Sequence, residues 1–352
     1  MTNPVPDPWA FREPALLGIP EERHIAATEA LPPHSFPRFE VTERGTASED
    51  ALRLKLLASE VFYVRDYADV LVNGDRSLAY AGQDLIRESR YLNKVRERWD
   101  DDLARPLPLA TPRAMMAFNR PWRNYYHWVL QCLFSIYVAE RFDPDPDRTY
   151  LLPAGSQARM PMLSLLGVDE KRLAFFPDRG IFTLPQVSYC NAVRASVNPM
   201  MRQFREFLVG KVPQGAGPRR ALYISRRDTP KRKLAIETAL EAEMESRGVE
   251  IVVASQLSFA EQIATFRDCR LLIAPHGAGL TNMLFCEPGT TVVEIRPSYL
   301  QNQAFTALAR VCGHDYTLIK VEAADSESRA WSANTSAVLD ILDDVIARTP
   351  AG

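Results

Sequence analysis

A short loop of small residues between two apolar runs is the part of the chain best suited to bind an anion. The first run ends at Pro275, the loop reads His-Gly-Ala-Gly over 276–279, and a helix is expected to begin near Leu280. Glycines let backbone N–H groups approach an anion closely, and the positive end of a helix dipole attracts one. His276 adds a ring N–H that can donate to a phosphate oxygen. These groups predict a site for the diphosphate of a nucleotide.

The elements on either side of this loop place it at one edge of a parallel sheet. The runs 271–274 and 291–295 have the composition of buried strands, so the segment reads strand, loop, helix, turn, strand. Open α/β sheets bind ligands at the carboxyl ends of their strands, which is where the loop falls. Glu294, near the end of the second strand, is a carboxylate that needs a partner when buried. The hydroxyls of a ribose would supply that partner.

A second cluster of polar residues follows the predicted strand 221–225. Arg226 and Arg227 come directly after the strand, and Arg232 opens the next helix. Guanidinium groups at the end of a strand can bind a diphosphate through paired hydrogen bonds. The hydrophilic sequence of this segment would also suit a solvated basic turn, and the spacing alone does not decide between the two.

The aromatic and polar residues NYYHW at 124–128 are the candidates for binding a sugar acceptor and for catalysis. Asn124 could bind hydroxyl groups, while Tyr126 and Trp128 could stack on the face of a sugar ring. His127 could take the proton of an acceptor hydroxyl, because the ordinary pKa of histidine lies near neutrality. A core histidine bonded to the backbone is the alternative.

Four segments of the chain together resemble glycosyltransferase family 61. They are NYYHWVL at 124–130, LYISRRDTPKRKLAIE at 222–237, HGAGLTNMLFCEPGTTVVEI at 276–295 and NQAFTALARVCGHDY at 302–316. The resemblance implies an inverting glycosyltransferase of the GT-B architecture, in which two doubly wound, Rossmann-like α/β domains face a cleft. It also implies a nucleotide-sugar donor, which we expect to be a UDP-sugar, and a hydroxyl of a glycan or glycolipid as the acceptor.

The sequence departs from the pattern of the resembled family at two positions. Ile236 stands where the family often has an Asn, and Gln131 stands where it often has an acidic residue three positions after the Trp. If that acid is the base in relatives, this chain must use His127 or another group, such as Asp66 or Asp69. We name His127 as the catalytic residue.

The predicted site residues follow from these segments. The donor is expected to bind at Arg226, Arg227, Arg232, His276, Gly277, Ala278, Gly279, Leu280, Thr281, Asn282 and Glu294. The acceptor is expected to bind at Asn124, Tyr126 and Trp128. No cofactor and no metal site are expected, because the five histidines are scattered and the acidic run 143–147 is broken by prolines. Arginine, histidine and a helix N-terminus would stabilise the departing diphosphate instead.

The order of the predicted elements indicates two α/β domains with a β-rich N-terminal addition. Asn73-Gly74 predicts a hairpin within 60–82. The expected divisions are an irregular arm over 1–50 within an acceptor-side domain over 1–212, a linker at 213–218 and a nucleotide-sugar-binding domain over 219–352. The last predicted helix, 335–348, either completes the second domain or packs back on the first.

Composition restricts the partners and the location. A net charge of −2 argues against nucleic acid as a partner. The five cysteines lack CxxC spacing and lie largely in apolar runs, as expected for buried thiols in a reducing compartment. The first residues lack the apolar core of a signal peptide. Eukaryotic members of the resembled family are typically secretory-pathway proteins, and this chain is not built that way. The resemblance therefore implies a bacterial cytoplasmic enzyme of surface polysaccharide or glycoconjugate synthesis, which a lipid-linked acceptor would bring to the inner face of the membrane.

The sequence leaves one other class of protein open and disfavours another. A non-catalytic sugar-nucleotide-binding protein of the same fold is the alternative, and Gln131 in place of an acid is its only support. A Rossmann oxidoreductase is disfavoured, because neither half has G-x-G-x-x-G after a first strand with an acidic residue about 20 positions later.

Overall fold

A computed structural model describes residues 23–28, 39–41, 61–82, 84–89, 106–109, 111, 113–214, 217, 219–229, 234–321 and 335–350. The chain separates into two compact units. The first unit comprises Met1–Ala27 and Val61–Ser196, and the second comprises Thr28–Glu60 and Val197–Gly352. Each unit has its own sheet.

The described residues form fifteen strands, numbered β1 to β15 in chain order. They are Arg23–Ala27, Phe39–Val41, Val61–Asn73, Leu78–Ala81, Asp84–Leu85, Leu107–Pro108, Arg113–Met116, Tyr150–Pro153, Leu173–Phe176, Ile181–Cys190, Arg220–Ile224, Glu250–Val252, Cys269–Pro275, Thr291–Pro297 and Asp315–Val321.

The same residues form eight α-helices, numbered α1 to α8. They are Tyr125–His127, Phe134–Phe142, Met160–Leu165, Met201–Val209, Glu237–Ser246, Phe259–Arg267, Ala304–Cys312 and Thr335–Arg348. A π-helix at Trp128–Leu133 joins α1 to α2, and a 3₁₀ helix at Ala278–Phe285 follows β13.

The second unit contains the predicted parallel sheet. Its six strands lie in the order β12-β11-β13-β14-β15-β2, and every neighbouring pair is parallel. The chain first passes from β11 to β12 on one side, and then returns to β13 on the other side of β11. The strand order therefore reverses between β11 and β13. This reversal is the topological switch point of a doubly wound sheet.

One face of this sheet is covered by α5 and α8. Their apolar side chains join those of the central strands in a single buried cluster, in which Ile295 of β14 packs with Leu342 of α8. The last helix therefore completes the second unit. Side chains alternate across a strand, so Glu294 and Arg296 of β14 point to the opposite face from Ile295.

The helix α4 also belongs to the second unit, although the predicted linker lies after it. Arg205 of α4 donates from Nε to the carbonyl of Cys286 at 2.9 Å. Arg267 of α6 likewise donates to the carbonyl of Val212 at 2.9 Å, so the chain before the turn-rich segment is tied to this unit. The division falls between Ser196 and Val197 rather than at 213–218, because a composition rich in turn residues marks a surface loop as readily as a linker.

The first unit has a mixed sheet of nine strands. β10, β7, β8 and β9 form a parallel half, while β3, β4 and β5 add antiparallel strands beyond β10. The predicted hairpin at Asn73-Gly74 is present, since β3 ends at Asn73 and pairs with β4. The β-rich segment is therefore part of the main sheet rather than an addition to it, because β3 pairs along its length with β10. Only the parallel half fits the predicted Rossmann-like pattern.

Of the helices in the described residues, none combines the length and the apolar content that crossing a lipid bilayer requires.

Candidate functional site

The carboxyl ends of β11 and β13 carry the polar residues that the sequence singled out in the second unit. These strands are hydrogen-bonded neighbours, with Tyr223 opposite Ile273. Arg226 follows the end of β11 by two residues, and His276 follows the end of β13 directly. Both residues therefore lie at the topological switch point, where diverging crossover connections leave a crevice for a ligand.

The loop after β13 is held at both ends by backbone hydrogen bonds. His276 N donates to the carbonyl of Ile295 at 2.8 Å, and Leu280 N donates to the carbonyl of Gly277 at 3.0 Å. The helix that the sequence places near Leu280 is a 3₁₀ helix and begins at Ala278. Its first backbone N–H groups follow Gly277 directly, which brings them to the same edge of the sheet as His276.

Two glycines allow the loop to touch the neighbouring strand. A Cβ atom on Gly277 would lie 2.8 Å from Cζ of Arg226 and would overlap its Nη1. A Cβ atom on Gly279 would lie 3.0 Å from Cγ2 of Ile224. Nη1 of the Arg226 guanidinium therefore lies against the backbone of the loop, and a larger residue at Gly277 would have to displace it.

The position of Arg226 is fixed by Glu237 at the start of α5. Oε1 of Glu237 accepts a hydrogen bond from Arg226 N at 2.8 Å and another from the hydroxyl of Tyr223 at 3.0 Å. Glu237 is buried, and burial raises the pKa of its carboxyl group while these hydrogen bonds oppose the shift. Glu237 thus holds the turn from which Arg226 projects.

Of the other two predicted arginines, the structure describes only Arg227. The side chain of Arg227 is 55% exposed and forms an ion pair with Glu241 at 3.1 Å. This contact fits the alternative of a solvated basic turn. Arg232 lies outside the described residues.

The remaining loop residues differ in exposure. Ala278 and Gly279 are half-buried, whereas Leu280, Thr281 and Asn282 are fully buried. The side chains of these last three residues therefore pack inside the unit. Thr281 Oγ1 has no hydrogen-bond partner among the described residues.

Glu294 does not present an oxygen to a ribose. Oε1 is bonded to Nδ1 of His276, and Oε2 accepts a hydrogen bond from the hydroxyl of Tyr316. The side chain of Glu294 has no exposure to solvent, and Arg296 approaches Oε2 at 3.8 Å. The structure therefore corrects the expected ribose contact, because the partner that this buried carboxylate needs comes from β15 and from the loop itself.

The hydroxyl of Tyr316 is a donor to this carboxylate. Burial, together with the charge of Glu294, raises the pKa of Tyr316 well above its ordinary value, so the hydroxyl keeps its proton. The ring of His276 also meets the ring of Phe305 edge-on, with 5.3 Å between the centroids. The orientation of His276 is thus determined by groups on three elements.

In the first unit, His127 is held by a chain of buried amides. Nδ1 of His127 lies 2.8 Å from Oε1 of Gln131. That oxygen also accepts from Asn119 Nδ2 at 2.7 Å, while Gln131 Nε2 donates to the carbonyl of Ala195 at 3.1 Å. Since Gln131 can offer only its oxygen here, Nδ1 of His127 carries the proton. The lone pair of the neutral ring is then on Nε2.

Burial also favours the neutral form of His127. It lowers the pKa of the imidazole below the ordinary value of 6.5, and the hydrogen bond with Gln131 opposes the shift. A neutral imidazole with its lone pair on Nε2 is the form that a general base requires.

A π-helix begins immediately after His127 and contains Gln131. π-helical turns are rare and occur frequently at functional sites. Gln131 lies four residues after His127, a spacing at which side chains on a helix meet, and its amide oxygen bonds Nδ1 of His127.

The three predicted acceptor residues have different surroundings. Asn124 is exposed, and its side chain accepts from Tyr126 N at 2.9 Å as the N-cap of α1. The half-buried ring of Tyr126 lies edge-on to that of His127, with 5.1 Å between the centroids. These two residues remain close to the candidate base.

Trp128 belongs to the core of the first unit. It has no exposure to solvent, and the guanidinium of Arg159 lies 4.7 Å from its ring centroid. Its Nε1 donates to Met162 Sδ at 3.1 Å. The structure corrects the expected stacking of Trp128 on a sugar, because its ring is covered by protein.

The two alternative bases lie on β3. Asp66 is half-buried and accepts a hydrogen bond from the hydroxyl of Ser188 on β10. Asp69 is exposed and has a positive φ of 50°. Ser188 is buried, and its hydroxyl occupies one oxygen of Asp66, whereas the bond of His127 to Gln131 leaves Nε2 of the ring as the proton acceptor. Within the described part of the chain, no group of three or more His, Cys, Asp or Glu residues could hold a metal ion.

Three residues of these networks were missed in the sequence. Tyr316 and Arg296 contact Glu294, and Asn119 contacts Gln131. The sequence held one signal for the first two, since a buried carboxylate in a hydrophobic strand needs polar partners close to it. Asn119 directly follows an apolar run and carried no comparable signal.

The model of the family described as Glycosyltransferase 61 matches residues 125–293, a region that runs from the start of α1 to the residue before Glu294. The protein is therefore a glycosyltransferase. Residues 125–293 form its glycosyltransferase family 61 domain, and the resemblance seen in the sequence is confirmed. A search of curated proteins found no match to the chain.

Proposed function

We propose that the protein transfers a sugar from a UDP-sugar to a hydroxyl of a glycan or glycolipid, with inversion and without a metal ion. The observation that carries the donor half of the proposal is the contact of Arg226 with Gly277 beside His276 at the switch point. The GT-B architecture and a role in bacterial surface polysaccharide or glycoconjugate synthesis are part of the proposal. So is a cytoplasmic location, which the buried and unpaired state of the five cysteines supports.

The diphosphate would be bound by charge and by backbone N–H groups together. The guanidinium of Arg226 offers several donors in a plane, and charge-assisted hydrogen bonds of this kind are about twice as strong as neutral ones. His276 adds a ring donor, and the N–H groups at the start of the 3₁₀ helix add a partial positive charge. The same groups would stabilise the negative charge that develops on the diphosphate as it leaves.

His127 would act on the acceptor. In a single displacement, the acceptor oxygen forms a bond to the anomeric carbon while the bond to the diphosphate breaks, and the proton of the hydroxyl passes to Nε2 of His127. Gln131 keeps the ring in the tautomer that can accept this proton. As a sequence feature, Gln131 was the support for a non-catalytic protein; in the structure it orients the candidate base instead.

The donor proposal predicts selective stabilisation by UDP-sugars. A ligand that binds only the folded protein, at about 100-fold its dissociation constant, stabilises it by about 2.7 kcal/mol. A thermal-shift screen across UDP-, GDP-, CMP- and dTDP-sugars should therefore show the largest rise in Tm with a UDP-sugar. A larger rise in Tm with another nucleotide sugar would contradict the choice of uridine and would identify the nucleobase that is bound.

The absence of a metal from the proposed mechanism predicts that chelation leaves the rate unchanged. Arg226 and His276 supply positive charge where the diphosphate would depart, so we expect the same turnover in EDTA as in Mg²⁺ or Mn²⁺. The measurement is the initial rate of transfer after dialysis against EDTA, with metal added back as the control. A rate that falls to background and returns with Mn²⁺ would show that the donor is bound through a metal ion.

A further inference from the structure

We infer that Glu294 and Tyr316 are positioning residues that act on the donor phosphates through His276, and that they do not contact the donor themselves. The inference deepens the proposed function and rests on the donor site at residues 276–279. It replaces the ribose contact expected for Glu294 from the sequence with a role in orienting the histidine.

The three residues form one continuous chain of hydrogen bonds across the sheet. Tyr316 of β15 donates to one oxygen of Glu294 on β14, and the other oxygen is bonded to Nδ1 of His276 after β13. β13, β14 and β15 are successive parallel neighbours. This series of hydrogen bonds therefore runs from Tyr316, near the start of β15, toward the carboxyl ends of the strands, where the loop lies.

The burial of these hydrogen-bonded side chains excludes a direct contact of Glu294 with a ligand. The side chain of Glu294 has no exposed surface, and Tyr316 is 2% exposed. A buried carboxylate is stable only when it is paired and hydrogen-bonded, and here His276, Tyr316 and Arg296 provide those partners. Opening the chain to admit a ribose would cost these interactions.

His276 is the member of the chain that meets the ligand. Its backbone is fixed by the bond to Ile295 O, and its ring by Glu294 and by the edge of Phe305. Since Nδ1 is bonded inside the protein, Nε2 is the ring nitrogen that remains for a phosphate. Glu294 thereby determines which nitrogen His276 presents and in which direction, as carboxylates do for metal-binding histidines.

The test measures binding of inorganic pyrophosphate, which has no ribose, alongside binding of UDP. The variants are Glu294→Gln, which keeps the shape of the side chain but removes its charge, and Tyr316→Phe, which removes only the hydroxyl. His276→Ala and the double variant with Glu294→Gln complete a mutant cycle. Tyr150→Phe is the matched control, because it removes a similar buried bond from a tyrosine to Glu140, of 2.6 Å, in the first unit.

We expect Glu294→Gln to weaken the binding of pyrophosphate and of UDP by the same factor, about tenfold, since the hydrogen bond that holds His276 against the phosphate loses its charge. Tyr316→Phe should lower the affinity for both ligands by about threefold. Tyr150→Phe should leave both affinities unchanged. In the His276→Ala background, Glu294→Gln should cause no further loss. The ¹⁵N resonances of the His276 imidazole should also change in Glu294→Gln, because Nδ1 loses its bond to a charged oxygen. If Glu294→Gln does not fold, Tyr316→Phe gives the same comparison.

Two results would overturn the inference while the donor site stands. A loss of UDP affinity in Glu294→Gln without a loss of pyrophosphate affinity would mean that Glu294 contacts the ribose. An equal loss in the presence and absence of the His276 side chain would mean that Glu294 does not act through it. If His276→Ala itself leaves pyrophosphate binding unchanged, the donor site is the part that fails.

Discussion

Replacing His127 by alanine should lower kcat by about 100- to 10,000-fold, which is the usual contribution of a general base. The dissociation constant of the donor should stay the same, because the proposed partner of His127 is the acceptor hydroxyl in the transition state. The measurements are kcat with a saturating acceptor and the affinity for UDP by calorimetry. Near-normal turnover in His127→Ala would make this residue a packing residue and would direct the search for the base to Asp66 and Asp69.

The pH profile gives a second measurement for the same residue. A protonated imidazole cannot accept a proton, so kcat/KM should fall as the pH drops through the pKa of His127. Burial lowers that pKa below 6.5, and the fall should therefore lie at a lower pH than for a solvated histidine. Arg141→Ala is a suitable control, because Arg141 is an exposed residue of α2, in the helical segment that follows His127, and its removal should change neither the rate nor the profile.

Replacing Gly277 by alanine should weaken donor binding by about 10- to 100-fold. The added methyl group would overlap Nη1 of Arg226, so the guanidinium must leave the loop and its charge-assisted bonds to the diphosphate are lost, at about 1.5–3 kcal/mol. The measurement is the dissociation constant of UDP. The thermal stability should change little, because the end of the arginine side chain can move.

A double variant separates this explanation from general damage to the loop. If Gly277→Ala acts by displacing Arg226, its effect on UDP binding should nearly vanish in an Arg226→Ala background. Gly217→Ala is the matched control, since a Cβ atom there would meet no other atom within 4 Å. If the effects of Gly277→Ala and Arg226→Ala on UDP binding are additive, the glycine is needed for a reason other than its contact with the arginine.

The elements of the second unit could be predicted well because their signals are local. The helix expected at 335–348 is α8 with the same bounds. The helix α6 begins with a capping box between Ser258 and Glu261, a pattern that lies within four residues of the sequence. Caps, turns and apolar periodicity act within a few residues of one another, so they can be recognised in a sequence.

The partners of the site residues could not be predicted in the same way. Glu294 was recognised as a carboxylate in need of a partner, but Tyr316 becomes that partner only when β14 and β15 align. From the sequence, Trp128 could be either a binding surface or a core residue. It is a core residue, because Arg159 packs on its ring. Both outcomes depend on contacts between residues far apart in the chain.

The local shape of the helical segment after His127 was also beyond the sequence. An apolar run of this length fits the spacing of an α-helix and of a π-helix almost equally well. The contact of Gln131 with His127 itself fits their spacing of four residues, at which side chains on a helix meet. The unpredicted part is therefore the winding of the backbone from Trp128 to Leu133.

The path of the chain between the two units has a consequence for the order in which the protein can fold. β2 is made near the beginning of synthesis, yet Phe39 pairs with Tyr316 of β15 near its end. During synthesis β2 remains unpaired until β15 emerges from the ribosome, when almost the whole chain is complete. Pairings of such high sequence separation form slowly and leave strand edges exposed in the meantime. Nascent chains stalled before β15 should therefore be good substrates for chaperones, and a fragment that begins at Val197 would expose β15 as an open, aggregation-prone edge.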